Sequence, residues 1–248
     1  MKRTTKAVLF SAAVGALVLA GAPAVLLDTM LDRLSAGQFR LALATGTVWN
    51  GQARLATSDS SAALSPVNGL RWTLEPAALL GARLRWRLEI DGKAPAALEI
   101  DAAGVALHRL AAQLPPAAAL AAIPHAVARA GWQGLVDLHV PALSCAWNGR
   151  CEGTVHAEWR AGGVDILPGQ ALGDHRIVAT MAATGTTLKI SAVHAGPLAV
   201  NGRVALVSGQ RPRFDLELGG DAQLLGRLRG MLATLGAVQD GARLRIRS

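Results

Sequence analysis

The clearest pattern in the chain runs from Arg83 to Asp91, where every even position is apolar and every odd one is charged. A period of two belongs to a strand with one face buried and the other in water. The same alternation recurs at Leu98–Ile100, Leu135–Val140, Val155–Trp159, Leu188–Ile190, Phe214–Leu218 and Arg243–Arg247. The pairs Asn50-Gly51, Asn68-Gly69, Asp91-Gly92, Asn148-Gly149, Gly162-Gly163, Asn201-Gly202 and Ser208-Gly209 read as the turns between strands. The predicted fold class is therefore mainly β: an elongated, curved antiparallel sheet, apolar on one side and polar on the other, with a few short helices.

Three stretches depart from this period. Leu107–Ala130 is alanine-rich, carries Leu110, Leu114, Leu120, Ile123 and Val127, and is divided by Pro115, Pro116 and Pro124, which predicts short helices. Asp221–Leu232 combines an Asp N-cap with Leu224, Leu225, Leu228 and Met231 on one face, an amphipathic helix that closes one end of the sheet. Asp28–Leu34 reads as a third short helix, with Leu27, Leu31 and Leu34 on one side. A Trp-Asn-Gly element at Trp49–Gly51 and again at Trp147–Gly149 suggests two related halves joined near 107–130.

Ahead of the strands, Ala7–Leu27 is a run of 21 residues without charge, preceded by Lys2, Arg3 and Lys6. A helix of that length crosses a hydrocarbon core of about 30 Å, and the basic flank keeps its N-terminus cytoplasmic. A cleaved signal peptide is the competing reading, since Ala20-Gly21-Ala22 has the look of a cleavage site. Pro23 directly after it argues for an uncleaved anchor. The expected organisation is a flank and single-pass transmembrane anchor over 1–27 and a periplasmic β-rich domain over 28–248.

Composition narrows the function. Three of the positive charges behind the net +8 belong to the N-terminal flank, and no block of like charge or basic-aromatic interleaving points to nucleic acid. Cys145 and Cys151 are the only cysteines. In an oxidising periplasm an isolated pair forms a disulfide, and a three-residue loop Trp147-Asn148-Gly149 would set Cys145 directly opposite Cys151. Two cysteines do not complete a zinc site, and nearby His139 and His156 lack ligand spacing. The chain carries no G-x-S-x-G, H-E-x-x-H, P-loop or G-x-G-x-x-G motif, and its six histidines are scattered singly, so no enzyme, cofactor or metal is expected. Trp72, Trp86, Leu88 and Trp159 fall on apolar strand positions. They are core residues or the lining of an apolar trough on a one-sided sheet. The terminal strand, with Arg243, Arg245 and Arg247 along its solvent face, is the candidate edge for contact with a partner strand.

Two ordered motifs carry a resemblance. Gly46-Thr47-Val48-Trp49-Asn50-Gly51-Gln52-Ala53 and Trp72-Thr73-Leu74-Glu75-Pro76-Ala77-Ala78-Leu79-Leu80 resemble the G-T-V-W-x-G-x-A and W-x-L-x-P-x-x-L-L pattern of general secretion pathway protein N, a component of the type II secretion system. The resemblance implies a non-enzymatic inner-membrane protein whose periplasmic domain, similar to AsmA-like and lipid-transfer sheets, takes part in exporting folded proteins across the outer membrane. Its implied partners are other inner-membrane or periplasmic components of that machine, with the membrane itself reached through the N-terminal helix. The alternative is an anchored lipid-binding or lipid-transfer module with a lipid chain in the trough.

Overall fold

A computed structural model describes residues 21–35, 37, 39–58, 64–116, 131–165, 170–194, 196–207, 209–232, 237–241 and 243–247. The chain is mainly β, with antiparallel pairing throughout and few helices. It divides into two compact units, Met1–Pro95 and Ala96–Ser248. The body of the expected anchor, up to Ala20, lies outside the described residues, and among those described no helix is long and apolar enough to cross a membrane.

In the first unit, helix α1 (Val25–Leu34) is followed by β1 (Phe39–Gly46), β2 (Asn50–Ser58), β3 (Leu64–Leu74), a 3-10 turn (Pro76–Gly81) and β4 (Leu84–Ile90). The strands pair in chain order. Alternation decides which face packs: Ala53 opposes Leu70, and Trp72 opposes both Gly51 and Leu88. That apolar face meets Leu27 and Leu31 of α1, with Ala24, Leu41, Ala53 and Trp72 buried between them. The last residues of the apolar run are thus part of the folded unit. Ala24 is 1% exposed, and Pro23 forms a bridge to Thr47.

The second unit contains β5 (Ala96–Ile100), β6 (Gly104–Leu114), β7 (Trp132–Ala146), β8 (Cys151–Val164), β9 (Gly173–Ala182), β10 (Gly185–Ala192), β11 (Leu198–Leu206), β12 (Arg213–Gly220), α2 (Ala222–Leu232), β13 (Ala237–Asp240) and β14 (Arg243–Arg247). Strands β5 to β12 follow chain order, after which β14 lies between β12 and β13. Helix α2 begins as the sequence implies: Asp221 accepts the N–H groups of Gln223 and Leu224 at 2.9 and 3.0 Å. Its Leu224 and Leu225 pack on Leu198, Leu218, Leu244 and Ile246.

Three expectations change. Residues 107–114 are strand, within β6, rather than helix; the rest of the predicted helical stretch, 117–130, lies outside the described residues. Asn68-Gly69, Gly162-Gly163 and Asn201-Gly202 sit inside β3, β8 and β11, and Asn50-Gly51 opens β2, so these pairs do not make turns. The terminal strand is not an edge. Arg243–Arg247 pairs with β12 on one side and β13 on the other, leaving β13 as the outer strand. Pro23, Ala24 and Leu27, at the end of the apolar run, make contacts within the first unit.

Candidate functional site

The first motif, Gly46–Ala53, builds the knot that closes one end of the first unit. Between β1 and β2 the chain turns through Thr47, Val48 and Trp49, and the Thr47 hydroxyl accepts the N–H groups of Trp49 and Asn50 at 3.3 and 3.1 Å. Two carbonyls of this turn receive the two indoles of the apolar face. Trp72 Nε1 donates to Thr47 O, and Trp86 Nε1 to Val48 O, each at 3.0 Å. Gly51 is required because Trp72 lies against its Cα: a Cβ there would sit 2.5 Å from both Trp72 Cζ2 and Thr45 O. The chain entering the unit is tied to the same knot, with Val48 N donating to Ala22 O at 2.9 Å.

Asp28 locks α1 to β1. It accepts Arg40 Nε and Nη2 at 3.0 and 2.7 Å and the Leu41 N–H at 2.7 Å. The Arg40 guanidinium, assisted by the Leu41 N–H and opposed by partial burial, holds the Asp28 carboxyl below the usual carboxylate range.

Among the residues read as an apolar face, Trp72, Trp86 and Leu88 share the first unit's core, and Trp159 packs in the second. Trp72 is 2% exposed and offers nothing to a ligand. Trp159 lies edge-on to Trp132 with ring centres 5.1 Å apart, faces His175 at 5.8 Å, and donates Nε1 to Gln133 O at 2.8 Å. His175 is buried, accepts the Val200 N–H through Nε2, and has its pKa lowered by desolvation, against the carbonyls of Gly173 and Leu198 and the charge of Asp174. These indoles and imidazole are packing groups.

Cys145 and Cys151 are bonded across the β7–β8 hairpin. Ala146 N donates to Arg150 O at 2.8 Å, Gly149 adopts φ +82°, and Cys145 registers with Cys151, so the three-residue loop has the expected form. Its Trp147 stands 63% exposed, with Nε1 donating to Asp101 O at 3.1 Å.

The arginines read as edge protection hold strands together instead. Arg243 pairs with Glu217; Arg245 bridges Glu217 and Asp240 at 3.5 and 2.8 Å; Arg247 reaches Asp215 at 3.2 Å. A second cross-strand group joins Arg160 to Asp137 and Glu158 and Arg176 to Glu158. Beside this second group, on the same β7–β8 pair, strand register brings His139 opposite His156 with ring centres 6.2 Å apart, a pairing that sequence spacing did not reveal. Among the described residues no group of three or more His, Cys, Asp and Glu is arranged to hold a metal ion.

Sequence reasoning missed the Asp28–Arg40 lock and the exposed leucines of the 3-10 turn. The first had a signal in Asp28, an acid placed at the end of the apolar run. The second had none, since Leu79 and Leu80 look like core until the turn is seen to hold them outward.

Antiparallel sheets with packed apolar faces, ion-paired polar faces and a disulfide-clamped hairpin define a β scaffold. The family model for the type II secretion system (T2SS), protein N, matches residues 38–247, and the chain belongs to that family. This bears out the resemblance carried by Gly46–Ala53 and Trp72–Leu80. No curated protein and no solved structure shows a significant match. The family gives the chain a role in type II secretion, alongside other components of that system.

Proposed function

We propose that this protein is a non-enzymatic component of the type II secretion system, held in the inner membrane by its N-terminal apolar run, and acting on export through contacts made by its periplasmic β units. The family match over residues 38–247 carries this reading. The pairing of Ala22 and Pro23 with the Thr47–Val48 turn supports an anchor that ends before Pro23. Ala7–Ala22 provides 16 uncharged residues, about 24 Å of helix, completed by snorkelling of Lys6 and local bilayer thinning.

With β14 enclosed, the contact edge passes to β13. Its four residues are the outer strand of the second unit, and Val238 is 66% exposed there. A partner strand added to β13 would gain main-chain hydrogen bonds, and the short length of this edge limits promiscuous pairing. Photocrosslinkers placed at Val238 and Gln239 in the parent bacterium test the reading. Adducts with another secretion component support it. Adducts with lipid alone, together with unaltered enzyme export in a deletion strain, would replace it.

A further inference from the structure

The end of the first unit that receives Ala22 also carries a group of exposed large apolar side chains, Leu80 the most exposed such side chain among the unit's described residues. Leu80 is 95% exposed and Leu79 49%, both on the 3-10 turn Pro76–Gly81; Val25 and Leu26, at the start of α1, are 56% and 48% exposed. Hydrogen bonds place these segments together. Ala22 O accepts the Val48 N–H, Trp49 O accepts the Leu74 N–H two residues before the turn, and Glu75 N donates to Arg85 O on the strand that follows it.

The leucines are held outward. Ala82, at φ +53°, closes the turn by donating its N–H to Leu79 O at 3.0 Å, and Arg83 N donates to Ala78 O at 3.2 Å. Below them the Glu75 carboxylate is clamped by Arg85 and Arg87 at 3.1 and 2.8 Å. Exposed Arg83 follows directly.

An apolar pair on a braced turn, beside an arginine, has the make-up of an interfacial membrane contact: hydrocarbon enters the acyl boundary while the basic head stays among phosphates. We infer that Leu79 and Leu80, with Val25 and Leu26, dip into the periplasmic surface of the inner membrane and fix the first unit against it. The inference rests on the anchor reading. The 16 uncharged residues of Ala7–Ala22 run up to the point where the chain enters the folded unit, so a bilayer crossed by that run begins next to this turn. Placing the occupant as lipid follows from that continuity.

The test uses the full chain in vesicles of phosphatidylethanolamine and phosphatidylglycerol. Both native cysteines are bonded to each other, so a single introduced thiol takes a nitroxide selectively. Labels at Leu80→Cys, Lys93→Cys and Val18→Cys report immersion depth by their relative collision with oxygen and with a water-soluble nickel chelate. The expected result is an oxygen-favoured label at 80 and 18 and a chelate-favoured label at 93, in the β4–β5 connection. A membrane-buried label at 18 with a water-exposed label at 80 overturns this inference and leaves the anchor standing. Water exposure at both positions removes the anchor reading, and the inference with it.

Discussion

Gly51→Ala adds one methyl group at the centre of the knot. Its Cβ would lie 2.5 Å from Trp72 Cζ2, 2.9 Å from Cε2 and 2.5 Å from Thr45 O. Carbon atoms at rest stand about 3.5–4.0 Å apart, so relief requires roughly an ångström of movement. Neither neighbour gives easily. Thr45 O is backbone in the β1–β2 ladder, and Trp72 is buried and pinned through its indole N–H to Thr47 O. Overpacking of this kind costs about 1–3 kcal/mol, and losing the indole hydrogen bond adds about 1 kcal/mol. The lower entropy of the unfolded alanine chain offsets about 0.4–1 kcal/mol. The net loss is about 1–3 kcal/mol, which in a unit of this size lowers Tm by about 4–8 °C per kcal/mol. Urea unfolding followed by tryptophan fluorescence and far-UV circular dichroism measures it. A midpoint equal to that of the unaltered protein would refute the claim that Gly51 is kept small by Trp72.

Gly226→Ala has the opposite sign: it lies in α2 with nothing within 4 Å of the added Cβ, so it should stabilise by about 1 kcal/mol in the same urea assay. Asp28→Asn removes the charge from the Arg40 and Leu41 hydrogen bonds and should cost about 1.5–3 kcal/mol at pH 7. Because the folded pKa of Asp28 is lowered, its contribution is complete above the ordinary carboxylate pKa and disappears as pH falls through the folded value, so the deficit of the variant should shrink in strong acid. His175 also has a lowered folded pKa, so stability should be flat above about pH 6.5 and fall below it, by up to about 1.4 kcal/mol per pH unit, as the unfolded chain takes up a proton that the buried ring resists. His175→Phe should flatten that slope between pH 7.5 and 5.5. Replacing Cys145 and Cys151 by serine opens a small loop and should cost about 2–3 kcal/mol, while intact mass after alkylation without reduction should show no added groups on the native chain.

Strands whose alternation is unbroken were legible from sequence, as Leu84–Ile90 shows, and so were the Asp221 cap and the register of the Cys145–Cys151 hairpin. The errors have physical sources. Leu107, Leu110 and Leu114 are spaced three and four apart, as on a helix. In β6, however, Arg109 adopts φ +55° and interrupts alternation, with Leu107 opposite Leu143 and Leu110 opposite Val140. Glycine misled for a related reason. Gly162 and Gly202 stand inside strands because a Cβ would strike the Trp159 ring in one case and Asp215 O in the other, so they mark close approach and not reversal. The enclosed position of β14 was beyond sequence reasoning, since β13 returns only four residues to cover it. The Asp28–Arg40 lock depends on α1 folding back over β1, and sequence spacing alone does not specify that contact.

The central claim, participation in type II secretion through contacts and without chemistry, is tested most directly by deleting the gene in the parent bacterium and measuring how an enzyme exported by this system divides between periplasm and medium. The predicted result is folded, active enzyme accumulating in the periplasm, restored by the unaltered chain. Wild-type amounts of enzyme in the medium of the deletion strain would contradict it.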